Sequence, residues 1–419
     1  MKILNKYFIF SILIIVSSGC EDSVNESQSS NDGGNDLPSG SPIIEGRNVY
    51  ISGFYQDSSL TQMVACFWVN GARVDIEYGA AEAITVENGN VYVAGQWFDS
   101  TGWNGEACYW INGIRYGLEG GGHPDTEVTD IAVDNGDVYV SGVMSDGSTF
   151  GTNACYWKNG VRTDLTDSSM DGMANSIGIN NGDVYVTGWR IKNHASIACY
   201  WKNGVRTDLT DASMDGMANS IGINNGDVYV TGWRIKNHAS IACYWKNGNR
   251  NELHDTHSFG DAYDIAFKGN NVYIAGEIDP QSTDNWNACY WRNGNKVNLP
   301  RSGYGATAFG IFLDGDDIYL GGYTTGSLFT YDIGCKWTNG NLHQLSSSVA
   351  DTDQTWLYDI AVADGIKITV GFYYPVIYDY NDPLYYNSPI FPCYYRNGQR
   401  VNLENADWQL GEATGVFIE

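Results

Sequence analysis

The stretch Ala154–Thr166, ACYWKNGVRTDLT, returns letter for letter at Ala198–Thr210. Shorter relatives are ACFWVNG at 65–71, ACYWING at 107–113, ACYWKNG at 242–248 and ACYWRNG at 288–294. Weaker copies are GCKWTNG at 334–340 and PCYYRNG at 392–398. The cysteines of these copies stand at 66, 108, 155, 199, 243, 289, 335 and 393. A period in the mid-forties is the size of a four-stranded propeller blade. Two units, 154–197 and 198–241, differ only at Ser168 against Ala212, which marks a recent in-frame duplication.

One unit contains four short apolar or alternating runs: Ser176–Ile179, Asp183–Gly188, Ala198–Lys202 and Val205–Leu209. Asn-Gly separates the first from the second and the third from the fourth, and it tolerates the positive φ angles of a tight hairpin. No segment sustains a 3.6-residue apolar period, and the abundance of Tyr and Trp favours strands. The expected fold is all-β: an eight-bladed β-propeller of four-stranded antiparallel blades. The chain ends on Gly415–Glu419, a first strand with nothing after it, and begins its repeats on Asn48–Gly53, a second strand. Pairing the two would close the ring and protect both edges. Pro42–Glu45 is the competing first strand.

In such a blade the third strand is apolar on both faces, Cys199 and Trp201 on one and Ala198 and Tyr200 on the other. Equivalent cysteines one blade apart lie beyond disulfide reach and cannot converge on a zinc ion. They read as buried thiols serving as small apolar groups. The pattern A-x-x-W-x-N-G, then D-L, then I-x-x-x-G resembles the HAF-type repeats of bacterial extracellular proteins. Ile197 and Ile241 stand where that family has His, and Cys199 and Cys243 where it has Phe. The resemblance implies an extracellular propeller-like fold and brings no catalytic residues.

The first 19 residues read as a lipoprotein signal peptide: Lys2 and Lys6, the apolar run Tyr7–Val16, then SSGC ending at Cys20. Cys20 is the expected lipidation site. Residues 20–41, rich in Ser, Asn, Asp and Gly, read as a flexible acidic tether, and 42–419 as the propeller. Glu21 and Asp22 resemble a surface-export signal, so the expected location is the bacterial outer membrane, lipid-anchored and surface-exposed, as a monomer. The net charge of -26 opposes binding to nucleic acid.

The connections that vary between repeats lie on one rim, and such loops on a rigid scaffold commonly carry binding. Two of them are Trp189–Ile197 and its copy from Trp233. The longest, 373–391, holds Tyr373, Tyr374, Tyr378, Tyr380, Tyr385 and Tyr386. These tyrosines, with Trp189 and Trp233, are the candidate ligand-binding residues. The expected ligand is a glycan or another envelope protein. Asp130, Asp264 and Asp359 share one repeat position at the start of the first strand, where carboxylates could hold calcium or bond neighbouring backbone. HPD at 123–125 and HDTH at 254–257 are sparse His/Asp clusters, more typical of solvated turns. No phosphate loop, nucleophile elbow or Ser/His/Asp set is present. A binding or scaffolding module is therefore the first reading, and a polysaccharide-acting lyase or glycosidase the second.

Overall fold

A computed structural model describes residues 48–418 apart from 58–61, 100–104, 123–125, 146–150, 168–170, 212, 255–257, 281–285, 326–331, 346–352, 364–365, 376–389 and 404–407. Every regular element among the described residues is a strand, and no helix there is long and apolar enough to cross a membrane. The strands form antiparallel sheets, six of four strands and one of seven. In the larger sheet Ala72–Glu87 pairs with Val64–Val69 along its first part and with Asn90–Phe98 along its second. That single strand is thus the outermost strand of the Cys66 unit and the innermost strand of the Cys108 unit. Trp408–Ile418 pairs antiparallel with Val49–Asp57, so the last strand of the chain completes the first unit. It is longer than the 415–419 segment expected from sequence.

Asparagine sets the hairpins. Asn70, Asn112, Asn159, Asn203, Asn247, Asn293, Asn339 and Asn397 all have φ between 50° and 54°. Each precedes a glycine, and each uses its side chain as well. The Asn203 Oδ1 accepts from the Val184 N–H at 2.8 Å, and its Nδ2 donates to Asp183 at 2.7 Å. The turn is thereby tied to the start of the second strand, which glycine could not do. Asn203→Gly should lower stability by about 1 kcal/mol through the lost hydrogen bonds. Asn203→Ala should add roughly another 1 kcal/mol for the left-handed backbone; urea titration of both variants checks the order.

The repeated Trp links neighbouring sheets. Trp201 Nε1 donates to the Leu165 carbonyl at 2.9 Å, Trp245 to Leu209 at 3.1 Å and Trp291 to Leu253 at 3.0 Å. Each leucine closes the preceding unit, which is why W and D-L travel together in the sequence. The Ala–Tyr face of one third strand packs on the Cys–Trp face of the next: Ala154 and Tyr156 share a core with Cys199 and Trp201. All eight repeat cysteines are buried thiols outside any disulfide. The last four-stranded sheet packs on the first in the same way, with Ile368, Val370 and Tyr394 against Ile51, Cys66, Trp68 and Val416.

The remaining invariant letter is the glycine of the second strand. A Cβ on Gly188 would meet the Met173 carbonyl oxygen at 1.8 Å, and one on Gly371 would meet that of Trp356 at 1.9 Å. Opposite each such glycine the innermost strand bulges, as between Ala174 and Ser176 and between Leu357 and Asp359. A bulge adds one unpaired residue and re-aims its side chain. Gly188→Ala should be among the most damaging single methyl additions, costing about 3 kcal/mol or more because backbone must move; a thermal melt reads it.

Candidate functional site on the innermost strands

The residues at the bulges are Glu82, Thr129, Asn175, Asn219, Tyr263, Phe309, Tyr358 and Thr414. Four are ties between units. Thr129 Oγ1 donates to the Ala174 carbonyl, Asn175 to that of Ala218, Asn219 to that of Ala262 and Thr414 to that of Ala81, all at 2.8–2.9 Å. The other four, Glu82, Tyr263, Phe309 and Tyr358, replace that short polar group with a carboxyl or a ring. Thr129, Asn175 and Asn219 thus form a run of three ties in successive units, and the other positions carry a carboxyl or a ring except at Thr414.

Rings form a continuous arc there. Tyr263 lies 5.1 Å from Phe309, Phe309 5.8 Å from Tyr323, and Tyr323 5.0 Å from Trp356. Trp356 stacks on Phe372 at 6.5 Å, and Tyr358 meets Phe372 at 5.7 Å. Trp356, Tyr358 and Phe309 are half-buried, so solvent reaches them. The Trp356 Nε1 is buried without a hydrogen-bond partner.

Carboxyls continue the arc. Glu412 is 4% exposed, and its Oε2 is buried without a partner. Burial, then the charge of Glu82, pushes its carboxyl up to about 8. Burial, then Glu127, pushes Glu82 up to about 7. Tyr358 is raised by burial first, then by Glu412 and Glu82. Enclosure in protein disfavours the charged form of each acid, and like charges add to it. Glu82 is half-buried, which leaves it open to water despite that enclosure. Neither Glu82 nor Glu412 makes an ion pair with a described Lys or Arg. From the chain direction, Trp356, Glu412 and Glu127 precede the bulges and so lie toward the rim that carries the variable connections.

The three aspartates occupy a different layer, beyond the bulges. Asp130 accepts from the Ile131 and Ile177 N–H groups and from Ser176. Asp264 accepts from Ile265, Ile311 and Ser220, and Asp359 from Ile360 and Val416. Each joins its own innermost strand to that of an adjacent unit, which is the backbone-bonding alternative of the sequence reading. Burial raises all three, Asp359 to about 7. No group of three or more His, Cys, Asp or Glu among the described residues is placed to hold a metal ion. His254 accepts from the Ala242 N–H at 3.0 Å, the role of Thr166 and Thr210 in their units.

Several expected ligand residues sit elsewhere than in loops. Trp189 and Trp233 lie inside strands Asp183–Lys192 and Asp227–Lys236, because Asn193-His194 and Asn237-His238 form two-residue turns with positive φ. Tyr373 lies in strand Ile366–Pro375, 7% exposed, packed on Phe391 at 5.3 Å and under the Arg400 guanidinium at 3.8 Å. It is a core residue, since the second strand runs farther than its sequence suggests. Tyr374 is in the same strand with its backbone opposite Gln354. Tyr378, Tyr380, Tyr385, Tyr386 and Cys20 lie outside the described residues. Sequence reasoning missed Glu82, Glu412, Phe309, Trp356 and Tyr358. Aligning the repeats on the second-strand glycine would have shown Glu82, Phe309 and Tyr358 as letters that break the Thr/Asn pattern; Glu412 and Trp356 lie outside that position, and no local signal marks them.

Repeated four-stranded blades, apolar on both faces and joined through their innermost strands, define a β-propeller. No protein-family model matches the chain, and no characterised protein matches it in sequence. Among solved structures it is similar to an acylaminoacyl peptidase of Pyrococcus horikoshii, at 10% identity over 79% of this chain and 52% of that one, TM-score 0.45. The chain thus spans about half the length of that peptidase. The β-propeller domain of the trilobed protease from Pyrococcus furiosus is similar at 8% identity, over 78% of this chain and 99% of that one, TM-score 0.45. The polysaccharide lyase Uly1 is similar at 10% identity, over 85% and 99%, TM-score 0.43.

Proposed function

We propose that this protein is a lipid-anchored envelope lipoprotein whose closed, eight-bladed propeller binds a glycan at the mouth of its axis. The eight-blade count treats the seven-stranded sheet as two blades sharing Ala72–Glu87. Closure is supported by the pairing of the terminal strand and by contacts of Trp408–Ile418 with both Asp353–Ala363 and Ala72–Glu87. The observation that carries the binding reading is the arc of rings, with Phe309, Trp356 and Tyr358 half-buried, together with the unpartnered buried carboxyl of Glu412 that acts on Tyr358. Ring faces suit the C–H faces of sugars, and carboxyls suit their hydroxyl groups; a concave site mixing the two is the usual form of a small-ligand pocket.

A glycan-array screen of the full chain tests this reading, with Trp356→Ala expected to weaken any hit by about 3- to 10-fold, the worth of one ring contact. Binding that is indifferent to Trp356 would move the site away from the arc. Anchoring is tested separately: Cys20→Ser should abolish incorporation of a labelled fatty acid and release the protein from membranes.

A second reading, an enzyme acting on polysaccharide, is favoured by one observation. Glu412, held at about 8, would remain protonated at neutral pH beside a second carboxyl, Glu82, as a general acid requires. Release of reducing ends or unsaturated products from a bound polysaccharide, lost in Glu412→Gln, would establish it.

A further inference from the structure

Among the described residues, the acid cluster lacks the cation or hydrogen-bond donors that would let it ionise. Glu412 presents a buried oxygen with no donor. Glu82 faces it closely enough for each to be felt by Tyr358, and no described cation pairs with either. Two other buried charged residues show the contrast. Arg190, 1% exposed, meets Asp208 at 2.7 Å, and the buried Glu277 takes hydrogen bonds from Tyr263 and Thr307. Unpaired buried acids are costly, so their retention beside open rings points to an outside partner.

We infer that Glu412 and Glu82, with the faces of Trp356 and Tyr358, form a site for an organic ammonium group, and that the ligand is a glycan bearing free amino sugars. This deepens the glycan reading and rests on it. The chemistry is specific in three ways. An ammonium supplies several N–H donors to the unpartnered Glu412 oxygen. Electron-rich ring faces attract a cation, most strongly when water is excluded. The absence of a three-ligand carboxylate or histidine set among the described residues favours a hydrogen-bonding cation over a coordinated metal ion. The net charge of -26 draws cationic chains toward the protein. N-acetylation, which removes the charge and adds bulk, should be rejected.

Ligand entry must also move protons. A carboxyl held protonated in the free protein has to ionise when an ammonium arrives, so a proton leaves for the buffer. Titration calorimetry of the full chain with a glucosamine hexamer at about pH 5.5, where the sugar amines are already fully charged, run in two buffers of different ionisation enthalpy, reads that release directly. The expected result is binding about tenfold or more tighter than that of the N-acetylglucosamine hexamer, with net proton release. Glu412→Gln should weaken binding by about tenfold and reduce the release, with Glu412→Asp recovering part of it. The proton count is read on the unaltered protein, so the test stands even if a variant fails to fold. Equal binding of the two hexamers, or binding without proton release, overturns the inference while leaving the glycan reading in place. Binding of calcium or of polylysine, but not of the glucosamine hexamer, overturns it in favour of a different cation. Failure of every glycan, on the array and in the calorimeter, removes both.

Discussion

Truncation before Trp408 should leave a protein that no longer unfolds cooperatively. The terminal strand is hydrogen-bonded to Val49–Asp57 along its length. It also carries ties that no other segment can supply. Asp359 binds the Val416 N–H at 3.1 Å, Thr414 binds Ser52 at 2.9 Å, and Thr414 donates to the Ala81 carbonyl at 2.9 Å. Ala413 and Val416 belong to the core between the last and first sheets. Removing the strand strips the edge of Val49–Asp57 and leaves the Asp359 carboxylate buried without one of its donors. Hydrogen bonds at roughly 1 kcal/mol each and large apolar side chains at ~1.5–3 kcal/mol each together reach the whole stability of an ordinary domain, about 5–15 kcal/mol. Soluble protein with an unchanged melting temperature would show that another segment, with Pro42–Glu45 the first suspect, can act as the innermost strand.

A milder probe separates the edge from the core. Val416→Ala removes two methyl groups at the junction of the first and last sheets and should cost about 1–3 kcal/mol. If closure there matters to the whole array, the transition stays single and shifts. If the terminal unit frays independently, the far-ultraviolet signal splits into two steps. Repeat arrays otherwise unfold piecemeal, so the number of transitions tests the proposed closure and not only local packing.

The architecture was legible because the repeated letters each perform one local task. Asn holds a left-handed turn and ties it to the next strand, Trp reaches the preceding unit, and glycine clears space for a bulge. Periodicity exposed all of these at once. The site was not legible for the same reason. Glu82, Tyr263, Phe309 and Tyr358 carry no motif and stand out only where a structural tie is missing, at positions occupied elsewhere by Thr129, Asn175 and Asn219. Long-range proximity, such as that of Glu412 to Glu82, arises from pairing across the whole chain, and local sequence contains no record of it. Loop length misled in the opposite direction. WRIKNHASI looks like a loop from Trp189 onward, yet Arg190 is buried against Asp208 and the strand runs on to Lys192.

The same buried acids make stability depend on pH in an uncommon direction. Glu412, Glu82 and Asp359 have folded-state values of about 8, 7 and 7, above the usual carboxyl range that they regain on unfolding. Between those limits the folded protein binds more protons than the unfolded chain, so stability falls as pH rises. Their contribution is fully present below about pH 4 and is lost as pH passes 7 to 8. An opposing set acts at the acid end. Asp137, Asp183 and Asp227 are held below the ordinary value by Lys158, Lys202 and Lys246, so that part of the stability disappears as pH falls through their lowered range. A maximum near pH 5 follows, with a decline toward pH 9. At ~1.4 kcal/mol for each tenfold change in proton affinity, the 4%-exposed Glu412 alone should account for a few kcal/mol. The partly open Glu82 and Asp359 should account for less than their raised values imply, because solvent screens them. Urea midpoints measured from pH 4 to 9 give the profile, and Glu412→Gln should flatten its alkaline limb while leaving the acid limb in place. A midpoint that rises from pH 5 to 8 would mean that these carboxyls are ionised and neutralised in the folded protein, and the case for an empty ammonium site would fall with it.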